Sequence, residues 1–129
     1  VRAMLELCMF AEGAKYQEEI SITGDTGKIE AFVPGPARFW PKKLGATPIP
    51  KIVVSPRDKS GLRDFDVPVD EMILEAGDHN GSTFYQHQKF MRVVDGHQSP
   101  EVTLNDGIWA VRMGNAAQVS AETGKVVNF

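Results

Sequence analysis

Cysteine is nearly absent from this 129-residue chain, where Cys8 stands alone. A single thiol closes no internal disulfide, and no Cys/His group has the spacing of a zinc site, so a stapled or metal-built module is excluded. A reducing, cytoplasmic setting is the expectation. Long apolar runs are missing as well: the stretch from Ala3 to Ala11 is broken by Glu6 and falls far short of the roughly 20 residues that a membrane helix requires. No basic segment leads into an apolar one with a small-residue cleavage site, so the start does not read as a signal peptide. Neither sign of charge dominates. With 14 basic against 17 acidic residues, a net charge of -3 and the basic ones scattered, nucleic acid is not an expected ligand.

Two further absences concern chemistry. A dinucleotide site needs Gly-x-Gly-x-x-Gly between a strand and a helix, so that backbone amides can approach a pyrophosphate, and the chain has none. Gly24-Asp25-Thr26-Gly27-Lys28 has the wrong spacing and no Ser/Thr after the lysine; it reads as a hairpin turn. Glu18 and Glu19 are neighbours in an extended segment, so they point to opposite faces and cannot work as a paired acid and base. Asp64, Asp66 and Asp70 lack the glycine and glutamate spacing of a calcium loop and read as a charged sheet edge.

What is present is a globular composition, 42% hydrophobic and 24% charged, suited to one domain with a modest core. Met4 to Phe10 reads as a mostly buried strand ending at the Glu12-Gly13 turn. Gln17 to Thr23 and Lys28 to Val33 alternate apolar and polar residues around the glycine turn, completing a three-strand meander. Five prolines between Pro34 and Pro50 exclude regular structure over most of that stretch. Lys51 to Ser55 is a short strand, and Asp64 to Val69, with Pro68, an edge strand or extended loop. Glu71 to Ala76 is ambiguous between strand and turn.

Ser82 is expected to cap a helix with apolar positions Phe84, Phe90, Met91 and Val94, stopped by Gly96. Thr103, with Asp106 three residues on, opens a second helix that Gly124 stops. Lys125 to Phe129 is expected to return as a last strand. This order predicts an α+β domain, a mainly antiparallel open sheet with two helices packed on one face. Val1 in place of an initiator methionine, already in strand pattern, fits a chain cut from something longer.

The residues with functional promise cluster before and along the first helix. Asp78-His79-Asn80-Gly81 precedes its N-terminus, where free amides and the helix dipole hold polar groups. His79, Thr83, Tyr85 and His87 are the candidate contacts to a polyhydroxylated ligand, histidine offering both a donor and an acceptor nitrogen. The competing reading makes both histidines satisfied structural residues. His97, beside Gly96, reads as merely exposed. Trp40 and Trp109 could stack on a sugar, but Trp109, on a helix of small residues, reads as core.

Three passages resemble the Gfo/Idh/MocA oxidoreductases, named for glucose-fructose oxidoreductase, inositol dehydrogenase and rhizopine catabolism. Residues 4–32, MLELCMFAEGAKYQEEISITGDTGKIEAF, look like the family's strand, Gly-Asp-x-Gly hairpin and following strand. FYQHQKFMRVVDG resembles its aromatic-rich helix, with Val94 where a small residue is usual. SPEVTLNDGIWAVRMGNAAQVSAETGKVVNF is similar to its Pro-x-Val-x-x-x-Asp-Gly-x-x-Ala helix, Ala-Ala-x-x-Ser and closing Thr-Gly-x-x-Val strand. The likeness covers nearly all the chain outside the Pro-rich stretch.

This resemblance implies the partial C-terminal substrate-binding and oligomerisation domain of an NAD(P)-dependent oxidoreductase acting on a sugar or polyol. The N-terminal Rossmann domain, which would hold NAD or NADP, is expected to lie outside this chain. So is the family's catalytic set, a lysine of a Glu-Lys-Pro motif with an Asp and a His on a helix. The chain alone is therefore expected to be inactive, with no cofactor, metal or catalytic residue of its own. The resemblance adds a homo-oligomer through the sheet face and, near His79 to His87, a segment that closes over the sugar in some members; Gln86 stands where those often have an acid. Two alternatives stay open, a non-catalytic sugar-binding or dimerisation module and an unrelated small binding domain.

Overall fold

The computed structural model describes residues 1–8, 10 and 13–128. Five strands, β1 (Arg2–Leu7), β2 (Glu18–Thr23), β3 (Gly27–Val33), β4 (Lys51–Pro56) and β5 (Arg63–Asp66), form one open sheet in chain order, every neighbour antiparallel. Three helices follow, α1 (Glu71–Ala76), α2 (Ser82–Val94) and α3 (Leu104–Thr123). The α+β architecture holds, with three helices where the sequence suggests two. The chain divides into two compact units, Val1–His87 and Gln88–Phe129.

Register explains why these segments pair. Leu5, Ile20, Ala31, Ile52 and Phe65 lie opposite one another in a row across all five strands, and Ala3, Ile22, Ile29 and Val54 form the next. The intervening rows are Met4, Ser21, Glu30, Val53 and Asp64, then Glu6, Glu19, Phe32, Lys51 and Asp66. Period-two alternation thus gives the sheet one apolar and one mixed polar face. Glu18 sits at the end of the apolar rows, opposite Leu7 and Val33. On the polar face Lys51 reaches Asp64 at 2.9 Å and Asp66 at 3.6 Å, and the hydrogen bond it donates to Asp64 is the main reason its pKa is raised. Those two aspartates do form a charged edge, whereas Asp70 does not.

Asp70 instead caps α1, its side chain accepting the Met72 N–H at 2.9 Å. A cap followed by Glu, Met, Ile, Leu, Glu and Ala, all but Ile73 strong helix formers, decides for helix where strand and turn are both open in the sequence. Ser82 is not a cap: its backbone is already helical, at φ -56° and ψ -40°. At the other end of α2, His97 N–H donates to the Arg92 carbonyl and Gly96 N–H to that of Val93, a Schellman closure. In α3 the expected box is present. Thr103 N–H donates to Asp106 Oδ2 at 2.8 Å, and Asp106 N–H to Thr103 Oγ1 at 3.3 Å. Gly124 is left-handed and its N–H reaches the Ser120 carbonyl.

Further expectations need correction. β1 is exposed throughout, because as an edge strand it has a neighbour on one side only; Met9 and Glu12 of the predicted strand and turn lie outside the described residues. Lys125 to Asn128 form no strand, since a strand exists only with a hydrogen-bonded neighbour and none pairs with them; Phe129 lies outside the described residues. Finally, among the described residues no hydrophobic side chain is buried, so there is no closed core. A single sheet layer leaves its apolar face open until a second layer covers it. Trp109, in the second unit, is 41% exposed and not core, with the Arg112 guanidinium 5.2 Å from its ring centre.

Candidate functional site

The best-packed point of the first unit is where β2 begins, β3 ends and the lead-in to α2 passes. Gln17, Pro34 and Gly81 are the buried residues among those described, and they belong to these three segments. Gln17 N–H donates to the Val33 carbonyl at 2.9 Å. From Pro34 the carbonyl accepts the Asn80 side-chain amide at 2.7 Å. Gly81 fits because it has no Cβ, which would lie 2.7 Å from Ile73 Cγ2 and 3.0 Å from Val69 Cγ1.

The lead-in itself is unusual. His79, Asn80 and Gly81 have φ of 59°, 50° and 77°, three consecutive residues in the left-handed region. Only glycine takes that conformation freely. Its neighbours are held there by side chains: His79 Nδ1 lies 3.2 Å from Glu18 Oε1, and Asn80 is fastened to Pro34. Asp78, just before, forms a two-pronged pair with Arg38, whose Nη2 is 3.0 Å from Oδ2 and whose Nη1 contacts Oδ1. That hydrogen bonding holds the Asp78 carboxyl below the usual aspartate range and raises the Arg38 pKa.

Beside this turn opens a concavity of about 660 Å³, lined by Asp70, Met72, Ile73, Ala76, Gly77, Asp78, Gly81, Thr83, Phe84 and His87. Its size falls within the range of small-molecule sites. A dimple of about 110 Å³ on the polar sheet face, between Glu6, Glu19, Lys28 and Glu30, is smaller and suits waters better. One helical turn separates Thr83 from His87, so both reach the larger concavity from the same face of α2.

The four sequence-predicted contacts therefore part company. Thr83 and His87 line the concavity, His79 is turned to Glu18, and Tyr85 sits edge-on to Phe84 with its ring centre 5.5 Å away. Asp78 and Gly81, in the lead-in singled out by sequence, line it too, whereas Asp70, Met72, Ile73, Ala76, Gly77 and Phe84 carry no sequence signal for the site. Phe84 reads in the sequence as an apolar helix position and Asp70 as sheet edge; an Asp followed by Glu-Met-Ile-Leu is a cap signal that places the latter on a helix. Arg38 and Glu18 could not have been found, being 40 and 61 residues from their partners. Trp40 lies apart from these contacts, its indole N–H buried without an acceptor among the described residues.

A family model described as "Oxidoreductase family, C-terminal alpha/beta domain" matches residues 1–129, the whole length. The chain belongs to the Gfo/Idh/MocA oxidoreductase family. No curated protein matches it. Membership agrees with the observed antiparallel sheet and helices, and the concavity lies in a C-terminal alpha/beta domain of this family. Among the described residues no helix is long and apolar enough to cross a membrane.

Proposed function

We propose that this domain supplies the wall of a substrate pocket in an NAD(P)-dependent enzyme acting on a sugar or polyol. The observation that carries the reading is the concavity beside α2, in a domain of an oxidoreductase family. Carboxylate, hydroxyl and imidazole groups at Asp70, Thr83 and His87 accept and donate hydrogen bonds to ligand hydroxyls. Phe84 offers an aromatic face for the C–H side of a sugar ring. His79 and Tyr85 act behind this wall, shaping it instead of touching the ligand. The chain has no glycine-rich loop for a pyrophosphate, so NAD or NADP binds in another domain of the enzyme, and the hydride chemistry belongs there.

NMR titration of the 129-residue chain with glucose and with myo-inositol tests the wall. Shift changes are expected at Thr83, Phe84 and His87 and are lost in Thr83→Val. Changes spread evenly over the sheet, or none with either probe up to 100-fold excess over protein, refute the assignment. Calorimetry with NADH should show no saturable heat; binding in the micromolar range refutes the placement of the cofactor elsewhere.

A second role is supported by the apolar sheet face, where Leu5 and Leu7 are 67% and 53% exposed. Contiguous exposed apolar rows of this kind mark interfaces, and we assign this one to homo-oligomer assembly, or to dimerisation in a member without catalysis. Leu5→Glu combined with Ile22→Glu should lower the mass measured by light scattering to that of one chain; an unchanged mass removes the sheet from the interface.

A further inference from the structure

We propose that residues 36–45 form a strap that docks onto the lead-in to α2 through Arg38, so that strap and lead-in open and close together. The Pro-rich stretch has little regular structure of its own, only 3-10 turns at Ala37–Phe39 and Lys42–Leu44. Nothing within it directs Arg38 to Asp78, 40 residues on. Yet Arg38 is held from two sides, by the Phe39 ring 4.6 Å from its guanidinium carbon and by both oxygens of Asp78. Asp78 in turn opens the run of left-handed residues at His79, Asn80 and Gly81. Such a run is sparsely populated in a free chain and persists only where outside contacts over-determine it. Here those contacts come from three separate places, Glu18 on β2, the Pro34 carbonyl and Arg38 on the strap.

The coupling changes the chemistry of the concavity. Asp78 lines it while both of its oxygens are taken by Arg38. With the strap docked, that carboxylate is charge-paired and one acceptor site on each oxygen is occupied; with the strap undocked, it becomes an unpaired anionic acceptor in the wall. A bidentate Arg–carboxylate pair is directional, so lysine replaces it only in part. The device depends on the geometry of the concavity and not on which ligand fills it.

Amide hydrogen exchange on the full 129-residue chain tests the coupling. Arg38→Ala and Asp78→Ala are each expected to raise exchange several-fold both in residues 37–45 and in residues 79–85, with β2 and β3 unchanged. The double variant should do no more than either single one. Exchange rising only in the segment that carries the substitution, or doubling up in the double variant, overturns the proposal. Should Asp78→Ala also loosen β2 and β3, the comparison passes to Arg38→Lys, which keeps the charge and loses the fork. A smaller rise in both segments supports the strap; a rise confined to residues 37–45 overturns it.

Discussion

Replacing Gly81 by alanine should be among the most damaging small substitutions in the first unit, and a second glycine shows why. Gly81 has φ +77°, and an added Cβ meets Ile73 Cγ2 at 2.7 Å, Val69 Cγ1 at 3.0 Å and Tyr85 Cε2 at 3.3 Å. Both nearest atoms belong to β-branched side chains, which are stiff at χ1 and cannot swing aside. The left-handed backbone costs a non-glycine residue about 1–2 kcal/mol, and forcing a methyl into occupied space adds about 1–3 kcal/mol. Gly81→Ala is thus expected to lose about 2–5 kcal/mol of stability. Gly61 also has positive φ, +97°, but nothing lies within 4 Å of its added Cβ. Gly61→Ala should therefore lose only the backbone share, about 1–2 kcal/mol.

Urea unfolding followed by Trp40 fluorescence, in a Trp109→Phe background so that only the first unit reports, measures both. The difference between the two variants isolates the crowding. Equal losses would refute the claim that Val69, Ile73 and Tyr85 close around Gly81.

Two other outcomes follow from the hydrogen bonds at helix ends and at the turn. Thr103→Ala removes one side of the capping box of α3 and should destabilise that helix by about 1 kcal/mol, read as faster amide exchange over its first turn with α2 unaffected; unchanged exchange would mean the cap is idle. Asp78 and Asp106 have carboxyl pKa values depressed, the first chiefly by Arg38 and the second chiefly by the Thr103 hydroxyl. A depressed folded value stabilises above the unfolded aspartate pKa, about 3.9, and that contribution is lost as pH falls through the lower folded value. Protection at residues 79–83 and 104–107 should accordingly survive at pH 5 and fade only below the ordinary aspartate range, as NMR-detected exchange can follow. Fading already at pH 5 would contradict both hydrogen-bond assignments.

The sheet was legible in the sequence because its information is local. Alternation in Gln17 to Thr23 and Lys28 to Val33 sets each strand's faces, and the glycine turn between them sets their pairing. The same holds for α3, whose Thr103, Asp106 and Gly124 signals lie within the helix or one residue beyond its ends. α1 was missed because six residues show too little of a helical period to outweigh a strand reading; only its Asp70 cap betrays it. A closing strand at Lys125 was predicted from residue type, yet strands depend on a neighbour that no local pattern supplies. Of the site, Thr83 and His87 could be placed together from their spacing on one helix. The contacts that hold the left-handed turn, Glu18 to His79 and Arg38 to Asp78, join residues far apart in the chain, and only the folded structure brings them together.

The division of the sheet into a mainly apolar and a mixed polar face also says how the family can drift at this locus. One residue added to the tight Gly24–Gly27 turn would slip β3 against β2 and turn Ile29, Ala31 and Val33 onto the face that now carries Lys28, Glu30 and Phe32. The prolines and glycines between Pro34 and Pro50 have no such parity, because a long surface excursion takes up an extra residue without transmitting it to the strands on either side. Insertions and deletions in descendants of this gene should collect in that excursion, clear of Arg38, while the length of the hairpin stays constant.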